Sequence, residues 1–238
     1  MIHIIHTAPG ADAPLHPDYL LPTRFLNCDH ALVREFADTA TRSGTGARDC
    51  AVKLFYAVRD GWRYDPFCID LDADTYVASN IYARKSAWCI QKGILLAAAA
   101  RAVGIPAGIG LSDVTNHLTT DKLKARMGGS SLFVDHGYAV MFIDGRWIKA
   151  APAFNIELCD RFGVRPTEFD GTEDAVFQEY DMQNRRHMEY LCDHGMWSDV
   201  PHQRIVDDLR SAYPASTYTP SAAADDRSER FEDGRRVD

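Results

Sequence analysis

The 238-residue chain has no run approaching the roughly 18 apolar residues that a membrane-spanning helix needs. Its first residues, MIHIIHTAPGADAP, have neither a basic start nor a long apolar core, so they do not read as a secretory signal. Excess positive charge is also missing. With 26 Lys and Arg against 34 Asp and Glu the net charge is −8, which offers no general attraction to nucleic acid or to an anionic membrane surface. Neither partner is expected. The six cysteines, Cys28, Cys50, Cys68, Cys89, Cys159 and Cys192, are too sparse for a disulfide framework in a chain this long. Without an export signal they read as reduced thiols of a cytoplasmic protein. Cys159, His187, Cys192 and His194 have the residue types for zinc but fit no CxxC or HExxH spacing, and no acidic loop suggests calcium. Gly128-Gly129 lacks the rest of a phosphate-binding loop and reads instead as a mobile segment able to act as a lid. No metal and no cofactor are expected.

What is present is ordinary globular material, 46% hydrophobic and 25% charged, in a chain long enough for a sizeable core. Residues 1–28, rich in proline and short apolar pieces, read as an extended arm laid along a domain covering 29–213. The stretch 214–238 is poor in large apolar groups and reads as a disordered tail. Asp29 is placed to cap a helix through Leu32, Val33, Phe36 and Ala37 to about Thr41, and a second helix follows to Gly61. Ser86 is placed to cap a third, whose first turn holds Cys89 and which Gly104 and Pro106 end.

The period then changes to two. Residues 105–114, 138–143 and 146–151 read as strands, the last two joined by Asp144-Gly145, the strongest short hairpin signal. Residues 156–213 read as mixed short helices and loops. Helices followed by a small antiparallel sheet make an α+β fold.

Cys89 is the chemically notable residue. Free amides and the dipole at a helix start favour a thiolate, the reactive form of cysteine. Free cysteines are also commonly plain core residues, so the position alone does not decide. His136, before an aromatic residue at a strand start, supplies a base of the kind that activates a thiol. The cysteine's own backbone amide is the nearest donor for an oxyanion. Gln91, about 200° further round the helix, is not expected to face the same cleft. Trp88, Asn80 and Tyr82 are candidate cleft walls, and Asn116-His117 is placed to approach the site, with His117 an alternative base.

Trp88-Cys89-Ile90-Gln91-Lys92, LLAAAARAVGIPA at 95–107, His136-Gly137-Tyr138 and DGRWIKAAPAFN at 144–155 together resemble the transglutaminase-like superfamily, and within it the small bacterial members of uncharacterised activity. The resemblance implies a papain-like fold and a Cys-His-Asp triad used for peptide hydrolysis or for acyl transfer to an amine, on a peptide or small amide substrate. Trp88, Asn116, His117 and Tyr138 are then the substrate-contacting candidates. The family's acidic residue falls fifteen positions after the histidine, before a proline, and here Ala151 stands there, followed by Pro152.

Hairpin geometry offers a replacement. A two-residue turn at 144–145 pairs 143 with 146, which sets His136 opposite 153 with 151 and 155 as diagonal neighbours on one face. Asn155 is thereby expected to hydrogen-bond the imidazole, as an asparagine does in papain-like sites. Turn formation after Phe154 is the other role open to Asn155.

Overall fold

The structure is a computed structural model; it describes residues 4–5, 15–117, 119–176 and 180–218, with only the backbone described at 4–5. In chain order the strands are β1 (Ile4–Ile5), β2 (Arg63–Tyr64), β3 (Ser86–Ala87), β4 (Ala107–Asn116), β5 (Leu132–Ile143), β6 (Arg146–Ala150) and β7 (Met188–Trp197). The helices are α1 (Ala31–Thr41), α2 (Ala47–Gly61), α3 (Ala78–Tyr82), α4 (Cys89–Ala102), α5 (Asp121–Arg126), α6 (Ile156–Phe162) and α7 (His202–Ala212). The main sheet runs β1-β7-β4-β5-β6 with antiparallel neighbours throughout, and β2 and β3 form a separate parallel pair. The α+β expectation is met. Among the described residues no helix is long and apolar enough to cross a membrane.

The centre of the molecule is α4. Every residue from Cys89 to Arg101 is buried, because α1, α2 and α3 pack on one side and the inner face of the sheet on the other. A helix wrapped all round must be largely small and apolar, which the alanine run at 97–100 and Ile90, Ile94, Leu95 and Leu96 provide, while its buried Gln91, Lys92 and Arg101 are hydrogen-bonded. Each of the larger side chains contributes about 1.5–3 kcal/mol of burial. The approach of helix to strand depends on glycine. A Cβ at Gly137 would lie 2.6 Å from Ile90 Cα, and one at Gly93 would lie 3.1 Å from the Tyr138 carbonyl carbon.

Several boundaries differ from the sequence expectation. His30, not Asp29, caps α1, its Nδ1 accepting from the Leu32 amide at 3.3 Å. Ser86 is drawn into β3 opposite Arg63, so Trp88 becomes the residue before α4. Residues 188–197, read as part of a mixed helical and loop region, form β7 and sit between β1 and β4. Residues 215–217 make a helical turn with Thr217 buried, so the expected tail does not begin at 214; residues 219–238 lie outside the described residues. Residues 15–28 pack on the domain, with Tyr19 and Leu26 fully buried.

The hairpin forms at the expected register, Ile143 opposite Arg146, with Asp144 and Gly145 both at positive φ (49° and 84°) as a two-residue turn of this hand requires. The ladder stops at Ala139–Ala150. The Ala151 amide donates instead to the Ala175 carbonyl at 2.8 Å, and Pro152 has no amide to offer. The predicted continuation to 136 opposite 153 is therefore not made.

Candidate active site

Cys89 is the first residue of α4. Its position is fixed from before by the β2–β3 pair, in which Tyr64 lies opposite Ala87 and the Asp65 amide donates to the Ala87 carbonyl at 3.1 Å. It is fixed from within by Gln91, whose Oε1 accepts from the Trp88 amide (3.4 Å) while its Nε2 donates to the Thr75 carbonyl (2.9 Å). Gln91 thus works on the helix start from behind and does not line the cleft.

Three backbone amides face the Cys89 sulfur: its own, that of Ile90, and that of Gly137 across on β5. His136, the residue before Gly137, lines the same cavity as Cys89 and Trp88. The structure therefore brings together Cys89, His136 and Trp88, which the sequence singled out as candidate nucleophile, base and wall. Burial dominates the electrostatics. It pushes the Cys89 thiol up to about 12 against the pull of the amides, and pushes His136 down to about 3. In this closed arrangement both groups are uncharged at neutral pH.

The cavity they share has a volume of about 20 Å³, room for about one water. Its roof comes from α5 and from the C-terminal segment, where Leu209, Tyr213 and Thr217 line it. A roomier cavity of about 300 Å³ lies elsewhere, lined by Tyr138, Lys149, Cys192 and Asp193.

Other sequence candidates are placed away from the thiol. Asn155 caps α6; its Oδ1 accepts from the Tyr64 amide at 2.9 Å and its Nδ2 donates to Glu157 at 2.7 Å. The expected bond from Asn155 to His136 is replaced by these two, because the strand that was to carry it ends at Ala150. Ala151 packs with Tyr19, Tyr138, Trp147 and Met196 in a cluster separate from the main core. Tyr138 goes with it, donating its hydroxyl to Asp193 at 2.9 Å, and does not line the Cys89 cavity. His117 is exposed and pairs with Glu189 at 3.2 Å, so its position is that of a surface residue and not of an alternative base. Asn116 ends β4 outside the cavity. Asn80 donates to the Asp74 carbonyl, and Tyr82 packs on Phe36 and Trp62.

Sequence reading missed the surroundings of His136. Asp135, at positive φ (53°) where β5 bulges against β4, is buried beside Asp113 and His194. Its amide donates to Asp113 at 3.1 Å, and His194 Nε2 meets Asp113 Oδ1 at 2.9 Å and Asp135 Oδ1 at 4.0 Å. Arg204 of α7 approaches Asp135 to 3.8 Å. Burial raises the Asp135 carboxyl, with Asp208 of α7 adding to the effect and Arg204 and His194 opposing it. An aspartate preceding the histidine was visible as sequence, but its burial depends on a bulge and a helix that only the fold brings there. The set Cys159, His187, Cys192 and His194 is not gathered as a metal cluster among the described residues.

A cysteine at the start of a buried central helix, sharing a cavity with a histidine on the adjoining antiparallel sheet, is an arrangement of the cysteine-enzyme fold. The family model of the transglutaminase-like superfamily matches residues 34–152, half of the chain, and the chain belongs to that superfamily. No curated protein matches. A solved structure that resembles it is that of a candidate cysteine protease from Cytophaga hutchinsonii, 14% identical with a TM-score of 0.45, matched over 81% of this chain and 60% of that one. The present chain thus spans about 60% of that protein's length.

Proposed function

We propose that the protein is a thiol-dependent hydrolase or acyltransferase acting on an amide or peptide-type bond, with Cys89 as nucleophile and His136 as base. The observation that carries this reading is the convergence on one sulfur of a helix N-terminus, the Gly137 amide and a histidine-bearing strand inside a transglutaminase-like fold.

In the reaction His136 takes the proton from Cys89, and the thiolate attacks the acyl carbon. The carbonyl electron pair moves onto oxygen, where backbone amides at the start of α4 hold it. The pair returns, the carbon–nitrogen bond breaks, and His136 gives its proton to the departing amine. Water or a second amine, deprotonated by His136, then attacks the thioester and releases the acyl group, restoring the thiol. Exclusion of water from the opened cleft decides between hydrolysis and amide formation.

The test is the pH dependence of Cys89 alkylation by iodoacetamide, located by mass spectrometry, in wild type and in His136→Ala. Five other cysteines are internal controls; Cys192 is exposed, its sulfur 3.7 Å from His194 Nδ1, and reports solvent-side reactivity. The expected result is that Cys89 of molecules whose cleft has opened to the reagent is labelled below pH 7 in wild type, and that this labelling is lost in the variant. Identical pH profiles in the two proteins sink the proposal.

A second reading has its own observation. Ala151 stands at the family's acidic position, and Asn155 is committed to Tyr64 and Glu157. A protein that keeps the fold as a binding module without catalysis accounts for both, and it predicts the identical profiles just described.

A further inference from the structure

We infer that α7 and Tyr213, the residue that ends it, form an autoinhibitory roof in which Leu209 and Tyr213 occupy the place of the substrate's acyl side chain, and that the substrate class is accordingly an uncharged, apolar or aromatic acyl group. The inference rests on the reading of Cys89 as the nucleophile. Cys89 and His136 are 4% and 2% exposed, and their cavity holds about one water. An acyl carbon must come within about 3–3.5 Å of the sulfur with substituents on both sides. No substrate fits unless an element withdraws.

That element is α7 and not α4 or β5. The latter two form the buried centre, and each is held by close backbone approach at Gly93 and Gly137. By contrast α7 is a surface helix with Ile205, Val206 and Leu209 inward and Gln203, Asp207 and Arg210 outward. Its N-terminal half is held by His202, whose Nε2 meets the Leu71 carbonyl at 3.1 Å and whose ring packs on Phe25 and Tyr76, and by Arg204 over Trp197; the end over the cavity is fastened differently. The Tyr213 hydroxyl accepts from the Val134 amide and donates to the Leu132 carbonyl, both at 2.8 Å, which pins the roof to the strand that carries His136. Thr217 donates to the Arg126 carbonyl at 2.8 Å, and Arg204 stands 3.8 Å from Asp135.

What α7 covers defines what replaces it. The walls against Leu209 and Tyr213 include Ile69, Trp88, Leu123, Met127 and Phe133, and no residue lining the cavity carries an Asp, Glu, Lys or Arg side chain. A charged acyl group entering here meets no counter-charge and loses its hydration, whereas an apolar one replaces the contacts that Leu209 and Tyr213 give up.

The experiment measures Cys89 labelling in the full chain for wild type, Tyr213→Phe and Leu209→Ala, each with and without His136→Ala, Cys192 serving as the reference thiol. Tyr213→Phe keeps the ring and removes both hydroxyl bonds, and it is expected to raise Cys89 labelling by iodoacetamide about tenfold while Cys192 is unchanged. In that variant N-benzyl-iodoacetamide is expected to outpace iodoacetamide at Cys89 by about tenfold more than it does at Cys192. Unchanged Cys89 rates in both Tyr213→Phe and Leu209→Ala overturn the roof. A benzyl preference no greater at Cys89 than at Cys192 overturns the apolar class. A rate gain in Tyr213→Phe with a pH profile indifferent to His136 leaves the roof standing and removes the nucleophile–base reading instead.

Discussion

Cys89 and Lys92 sit one turn apart on the same buried helix, and the molecule treats them in opposite ways. Lys92 is fully buried, yet each of its three N–H groups has a partner: the carbonyls of Arg59, Trp62 and Ala153, all at 2.7 Å. Burial pushes its ammonium down to about 7, with the Asp60 carboxylate opposing that shift. A neutral amine would have only two hydrogens for three acceptors. At Cys89 the chain supplies amides for an anion and then roofs the sulfur and the imidazole with Leu209 and Tyr213, so neither is ionised at neutral pH. A buried ammonium bonded on all three N–H groups rigidifies a core; a thiol and an imidazole lining one small cavity are placed for chemistry. Lys92 ties α2, α4 and the segment after β6 into one unit, and that rigidity is what keeps the neighbouring turn of α4 in place.

The sharpest way to break the contrast is Lys92→Met, which keeps the stem and deletes the charge. Three buried carbonyls then lack a donor, and the expected loss is about 3–5 kcal/mol of unfolding free energy, read from urea titrations at pH 7. A loss below about 1 kcal/mol would mean that the three bonds do little more than offset desolvation, and the two regions would not differ as described.

The reactive side is tested by pH. His136 titrates near 3 in the folded protein and near 6.5 when unfolded. Between those values the unfolded chain binds a proton that the native state does not, so this group costs stability progressively as pH falls from about 6.5 toward 3, by up to about 1.4 kcal/mol per pH unit. Above 6.5 it contributes no pH dependence. Other acids contribute equally to wild type and His136→Gln, so the difference between their urea titrations at pH 4.5 and 7 isolates it. The expected difference amounts to about 2–3 kcal/mol, with wild type the steeper. Equal slopes would place the imidazole in contact with water.

Much of this arrangement was legible before the fold was known. Asp144-Gly145 set the hairpin register because both residues tolerate positive φ, and a cysteine followed by apolar residues at helical spacing located α4. What escaped reading depends on distant partners. Residues 188–197 carry no clean alternation, since Tyr190, Leu191 and Cys192 are exposed, and only pairing with β4 makes them a strand. The apolar stripe of α7 reads as that of any amphipathic helix, and nothing in its sequence says that it rests on Cys89. The extrapolated hairpin failed three residues early because Ala151 and Pro152 leave the ladder, and with it went the placement of Asn155.

Asn155 therefore belongs with Lys92 on the structural side of the comparison. Its Oδ1 accepts from the buried Tyr64 amide, just before the Asp65–Ala87 bond that leads into α4. Asn155→Ala strands that amide, and the expected cost is about 1–2 kcal/mol in unfolding free energy. The pH profile of Cys89 alkylation is expected to keep its shape, since neither Asn155 hydrogen bond reaches His136. If the variant instead loses labelling below pH 7 as His136→Ala does, the asparagine orients the imidazole once α7 has withdrawn. The open cleft would then carry the third member that Ala151 cannot supply.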